Sequence, residues 1–372
     1  LTAINRSDIY DKNLNFLIGS GASVGLLPTL ELKIKQAGSQ RSHTLETLAT
    51  MFEDDEDIMP LLFSYYVKNV IAPAAKFDYS ETNISQKAVL RSYTHFLTSI
   101  LTLLNKKGQV RRANIFTTNY DGLIAHCAEQ MVQQGQFDFI LNDGSIGFKK
   151  KTLQTRTFNR SVKDQGTFDQ HEISIPQINL IQPHGSIYWY KDGENIEVSY
   201  DLQRSSNRAD TVPEFSNSDF EDLLLDETKD DNDIIPDDIH ENAEVIEEFW
   251  EHYRKLPIVN PTKWKFHETV FEEHYYQSLR TLSYELEKPN SVFIVFGFSF
   301  ADEHILSLVK RSLSNPTLKV FICCYSEQIK SELEIKFGVF DNVELIRTDG
   351  KLDFKTFNKE VFSTAPPLVS GE

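Results

Sequence analysis

Short apolar runs separated by amphipathic stretches organise the last third of the chain. From residue 267 the order is HETVFEEHYYQSLRTLSYELEK with apolar residues at helical spacing, the apolar run SVFIVFGFS, the amphipathic DEHILSLVKRSL, the apolar LKVFICCY, the amphipathic SEQIKSELEIKF, the apolar VELIRT and a terminal helix. The apolar runs are continuous rather than alternating, which predicts strands of a parallel sheet covered on both faces by helical crossovers. The same pattern predicts an early strand at Phe16-Leu17-Ile18, a long helix over residues 86–106, a strand, turn and helix within ANIFTTNYDGLIAHCAEQMVQQG (residues 113–135), a strand at FDFIL (residues 137–141) and another over residues 178–182, stopped by Pro183. Between residues 43 and 72 the helical spacing is broken by the acidic run 53–57 and by Pro60. Residues 142–176 are polar and irregular, and residues 219–251 are acidic enough to read as a solvated face, a mobile insertion or a peripheral helix.

A chain of 372 residues can bury a full core, and its 40% hydrophobic content is that of a globular protein. No apolar run approaches the roughly 18 residues that span a bilayer, and the first residues lack a charged-then-apolar leader pattern. A soluble, cytoplasmic protein is expected. The net charge of -17 argues against direct nucleic-acid binding, which needs clustered cations; the basic stretch FKKKTLQTRTFNR (residues 148–160) is the local exception. Of the three cysteines, Cys323 and Cys324 lie in an apolar run and Cys127 stands apart, which predicts reduced, buried thiols, and without a CxxC pair no four-cysteine zinc site is expected.

In an open parallel sheet ligands bind beyond the carboxyl ends of the strands. Four small, polar turns follow the apolar runs there: GSGAS (residues 19–23), TTNYD (117–121), PHGS (183–186) and GFSFADEH (297–304). They are expected to converge on one crevice. Gly19 and Gly21 permit backbone angles that other residues avoid and let a phosphate come close, so a pyrophosphate at the first turn is one reading and an ordinary tight turn the other.

Taken together and in order, these turns resemble the sirtuin, or silent information regulator, family of NAD-dependent proteins. The resemblance rests on Gly19-Ser20-Gly21-Ala22-Ser23, Thr117-Thr118-Asn119-Tyr120-Asp121, His184-Gly185 and Gly297-Phe298-Ser299. The chain departs from protein-deacylating sirtuins in having Leu26-Leu27-Pro28-Thr29-Leu30 after the glycine turn and no zinc cysteines. It is more similar to bacterial sirtuin-like effectors of antiphage defence in TTNYD, in HGSIYWY and in IVNPTKWK (residues 258–265) before a long helix. Those effectors hydrolyse NAD, often as oligomers and with a partner protein.

The resemblance implies one α/β domain over residues 1–372: a Rossmann-like parallel sheet from about residues 1–40, 110–200 and 255–372, a helical block over 41–109 and an acidic insertion over about 203–255. It implies NAD as substrate, hydrolysed to ADP-ribose and nicotinamide, a homo-oligomer, and a partner ATPase of the DNA-translocase type. Gly19, Ser20, Gly21, Ala22, Ser23, Thr118, Gly297, Ser299 and Asp302 would hold the dinucleotide. Cleavage at the nicotinamide–ribose bond builds positive charge on the ribose and expels a leaving group that is already cationic, so a base is needed and an acid is not. His184 suits the base, and Asn119 offers a donor and an acceptor to a ribose hydroxyl or the attacking water. Asp121 either faces the nicotinamide amide or the developing cation, or caps the helix that follows. Asp302 and Ser299 either cap a helix or meet a ribose hydroxyl. The rival readings are a sensor that binds NAD or ADP-ribose without turnover, and a protein deacylase or ADP-ribosyltransferase.

Overall fold

The structure, a computed structural model, describes residues 3–106, 111–165, 172–200, 208–214, 217–235, 243–260 and 269–363. By packing, the chain divides into two compact units, one of Leu1–Leu26, Thr82–Pro183 and His274–Glu372, the other of Leu27–Glu81 and His184–Glu273.

The first unit is built on seven strands: β1 (Asn13–Ile18), β2 (Arg112–Thr117), β3 (Ile140–Asn142), β4 (Gln177–Ile181), β5 (Ser291–Phe296), β6 (Lys319–Cys323) and β7 (Val343–Ile346). They form one sheet in the order β7-β6-β5-β1-β2-β4-β3, and every pairing is parallel. The helices that flank it are α1 (Ile84–Asn105), α2 (Leu123–Gln133), α3 (Thr269–Glu287), α4 (Glu303–Ser312) and α5 (Glu327–Phe337). The fold is the expected Rossmann-like α/β arrangement. β1, β2, β4 and β5 are buried almost throughout, which is why they read as unbroken apolar runs. The long helix α1 starts with a capping box between Asn83 and Gln86. It lays Phe96 edge-on against Phe16 of β1, ring centroids 5.1 Å apart.

One polar feature crosses this apolar sheet. Asn15, Asn114, Asn179 and Asn142 stand in register on β1, β2, β4 and β3. Their amides are joined laterally: Asn114 Nδ2 donates to Asn15 Oδ1 at 2.8 Å, Asn179 Nδ2 to Asn114 Oδ1 at 2.8 Å, and Asn142 Nδ2 to Asn179 Oδ1 at 3.1 Å. A strand that slipped by one residue would bury these amides unpaired, so the ladder fixes the register. Asn114→Ala strands the Asn15 acceptor and is expected to cost about 1–3 kcal/mol for each group left unpaired. Chemical denaturation measures this, and an unchanged midpoint would show that the ladder contributes nothing.

The segment expected as one helical block divides at Glu81 and Thr82: α1 packs on the sheet, while residues 27–81 belong to the second unit. There Leu45–Met51 ends at the acidic run, and Ile58–Tyr66 begins after it with Pro60 in its first turn, where a missing N–H costs no hydrogen bond. The acidic segment presents the solvated face expected of it and contributes core as well. Its described helices, Ser218–Leu224 and Ala243–Tyr253, bury Phe220, Leu224, Phe249 and Tyr253. Trp250 and Tyr253 meet Phe63 at ring distances of 5.2 and 5.0 Å. The acidic residues occupy the outer faces of helices whose aromatic stripe forms core. Two further ties reach into this segment: Lys68 Nζ lies 2.8 Å from Glu221 Oε1, and buried His43 donates or accepts at 2.8 Å from Asp231. Residues 201–207, 215–216 and 236–242 of the segment lie outside the described residues, as do residues 261–265 of IVNPTKWK.

Candidate functional site

β1 is followed in the chain by β2 on one side, and β5 by β6 on the other, so the sheet changes direction between β1 and β5. A crevice at such a reversal is where open α/β sheets take ligands. The turns after these two strands pack backbone on backbone. Gly19 N donates to Phe296 O at 2.9 Å and Gly21 N to Gly297 O at 3.0 Å. A Cβ on Gly19 would fall 2.3 Å from Gly297 O, and one on Gly21 would fall 2.7 Å from Gly297 Cα. The glycines are thus demanded by the neighbouring turn. The N–H groups of Gly19, Gly21, Ala22 and Ser23 all have backbone acceptors, so the pyrophosphate reading of this turn gains no set of open donors. Ser20 is exposed, and Ala22 and Ser23 are buried.

The turn after β2 reaches the same corner. Thr117 Oγ1 donates to Ile18 O at 2.9 Å and accepts from Asn119 N at 3.1 Å, which pins the backbone of TTNYD to the end of β1. Thr118 N donates to Ile18 O at 3.2 Å. Asn119, 7% exposed, donates from Nδ2 to Ser23 Oγ at 3.2 Å. Its Oδ1 is buried with no hydrogen-bond partner among the described residues. Ser23 Oγ in turn donates to Asp121 Oδ2 at 3.3 Å. Asp121 uses its other oxygen to accept from Leu123 N, the first residue of α2, at 3.0 Å.

Sequence reasoning missed one member of this group. The Tyr93 hydroxyl, from the middle of α1, lies 2.8 Å from Ser23 Oγ, and the residue is fully buried. The only sequence signal was a tyrosine on the buried face of a helix, where a hydroxyl must find a partner.

Burial pushes the Asp121 carboxyl up to about 6, against the pull of its hydrogen bonds from Leu123 and Ser23. An unfolded aspartate ionises near pH ~4. Between there and about pH 6 the fold holds a proton that the unfolded chain has released, so stability falls as pH rises through this window and is flat above it. The non-titrating Asp121→Asn protein is expected to gain melting temperature over the parent across that window, with no further gain at higher pH. A gap that narrows as pH rises would contradict the assignment.

His184 opens the second unit, three residues after Ile181 at the end of β4. It is 5% exposed. Its carbonyl accepts from Val259 N at 2.9 Å, and Ser186 N donates to Pro257 O at 3.2 Å. HGSIYWY and the start of IVNPTKWK, distinctive in the sequence, are thus bonded to each other. Gly185 has φ +85, and a Cβ there would lie 1.9 Å from Pro257 O.

Of the remaining expected residues, Ser299 is exposed. Asp302 is buried and caps α4, its Oδ1 accepting from His304 N at 2.9 Å and Ile305 N at 3.1 Å. The loop holding them is fixed at buried Phe300, φ 57, whose carbonyl accepts from Lys336 Nζ at 3.0 Å. All three cysteines are buried free thiols. Among the described residues no group of three or more His, Cys, Asp or Glu is placed to hold a metal, and no helix is long and apolar enough to cross a membrane.

A seven-stranded parallel sheet with glycine turns packed at its reversal, and a hydroxyl, amide and carboxyl cluster beside them, is a Rossmann-like ligand-binding architecture. Within that class the model of the SIR2-like domain matches residues 113–337, more than half of the chain, and the chain belongs to this family. SIR2-like domains bind NAD and are typically NAD-using enzymes. Asn119, Asp121, His184, Gly297, Ser299 and Asp302 fall within the matched range, while the first glycine turn and Tyr93 precede it. No curated protein matches the chain in sequence.

Proposed function

We propose that the protein hydrolyses NAD to ADP-ribose and nicotinamide. The observation that carries the reading is the Asn119 Oδ1, a buried acceptor without a partner among the described residues, at the end of β2 in a SIR2-like fold. A buried amide oxygen of this kind is costly unless something completes it, and a ribose hydroxyl or a water is chemically suited. In this reading Asn119 orients the ribose or the attacking water, His184 takes the proton from that water, and the Asp121 carboxylate stabilises developing positive charge or meets the nicotinamide amide. Pyridinium departure needs no acid. Gly19, Ser20, Gly21, Ala22, Ser23, Thr118, Gly297, Ser299 and Asp302 would shape the dinucleotide site.

The biological role we propose is that of an effector that depletes NAD in bacterial antiphage defence, acting in the cytoplasm as a homo-oligomer beside a partner ATPase of the DNA-translocase type. Its support is the likeness of TTNYD, HGSIYWY and IVNPTKWK to such effectors. Purified protein incubated with NAD, alone and with co-encoded neighbours, tests the chemistry by product separation. Equimolar ADP-ribose and nicotinamide support hydrolysis, a cyclised product changes the reaction, a modified protein makes it a transferase, and tight binding without turnover makes it a sensor. Light scattering at micromolar concentration tests the assembly, which a strict monomer indifferent to every neighbour would refute.

A further inference from the structure

We infer that Tyr93 is a positioning residue of this site, which holds the Asn119 side chain, through Ser23, in the one orientation that leaves its Oδ1 open to a ligand hydroxyl. The inference rests on the NAD-site reading only for what the ligand is; the orientation itself follows from counting protons. Ser23 Oγ has three polar neighbours: Tyr93 OH at 2.8 Å, Asn119 Nδ2 at 3.2 Å and Asp121 Oδ2 at 3.3 Å. A hydroxyl has one proton and two acceptor sites. An ionised carboxylate can only accept, so the Ser23 proton goes to Asp121. An amide NH2 can only donate, so Asn119 fills one acceptor site of Ser23. The remaining site is left for Tyr93, which therefore donates. Turning the amide over would point its oxygen at Ser23, whose single proton is already spent, and would leave the NH2 group without the Ser23 acceptor. The tyrosine thus closes the hydrogen-bond count of Ser23, and does so from a ring packed edge-on against Phe354 at 4.9 Å.

Tyr93→Phe removes the donor and keeps the ring. In the 15N-labelled protein, the Asn119 side-chain amide pair, assigned by its loss in Asn119→Asp, is expected to shift and to exchange with solvent at least tenfold faster in Tyr93→Phe, while the Asn114 pair of the sheet ladder stays in place. Ser23→Ala is expected to give the same displacement, and serves alone if the phenylalanine variant does not fold. An unmoved Asn119 pair in a folded variant overturns the inference, whether or not the parent protein consumes NAD; absence of turnover in the parent overturns only the functional reading. Where turnover is present, Tyr93→Phe is expected to lower kcat about tenfold or more with KM within threefold, and to have no further effect in a Ser23→Ala background, because coupled residues do not add. Additive losses would mean that Tyr93 acts by another route.

Discussion

Alanine at either His184 or Asn119 is expected to lower NAD turnover by about 10²–10⁴-fold, the range of a lost general base or an equally essential orienting group. Both side chains are buried, at 5% and 7% exposure, so a stability control is needed beside the activity. For Asn119 the control is expected to pass, because the alanine gives up one hydrogen bond to Ser23 and removes an oxygen that had no partner among the described residues. That exchange costs about 1 kcal/mol or less. For His184, the bond from Val259 N to the His184 carbonyl is a main-chain bond, which alanine retains. NAD consumption under activating conditions, read beside a thermal melt, decides the matter. Near-normal turnover in either folded variant removes that residue from the chemistry.

Gly19→Ala is expected to damage the fold where two site turns meet. Its Cβ would sit 2.3 Å from Gly297 O and 2.8 Å from Gly297 C. Both are backbone atoms of the turn leaving β5, and Gly297 itself holds φ +69, where a Cβ of its own would lie 2.7 Å from Ala22 N. Neither turn can retreat without breaking the bonds from Gly19 N to Phe296 O and from Gly21 N to Gly297 O. Overpacking of this kind costs at least the usual ~1–3 kcal/mol, and more where the obstacle is main chain. Failure to accumulate as soluble protein, or a melting temperature lower by about 5 °C or more, is the expected result. A well-folded Gly19→Ala protein that has lost only NAD affinity would instead place a phosphate against this turn.

The sheet was legible in the sequence because parallel strands buried on both faces have no polar side to hide behind: SVFIVF and KVFIC are strands on inspection, and the helices between them carry clear caps at Asp302 and Ser326. Strand ends in a parallel sheet share an edge, so all four post-strand turns are expected at one corner, and GSGAS meets both GFSFADEH and TTNYD there. What stayed hidden depends on partners distant in the chain. The asparagines of the ladder look like blemishes in apolar strands until Asn114 is seen beside Asn15 and Asn179, 99 and 65 positions away. Tyr93 finds Ser23 across 70 positions. The core contribution of the acidic segment stayed hidden because the density of carboxylates masks the spacing of Phe249, Trp250 and Tyr253, which is a core pattern once the helix is known.

The position of β1 also sets a timetable. It is the earliest of the seven strands in the chain and lies inside the sheet, between β2 and β5, and β5 is not made until residues 291–296. A growing chain can seat β2 on one side of β1 early, but the other edge stays open through the synthesis of the whole second unit. Such long-range closure slows folding and exposes an apolar edge to other chains in the meantime. Expression at low temperature, or with chaperones that shield nascent apolar edges, would therefore favour the native sheet, and any fragment ending before β5 would carry the sticky edge permanently.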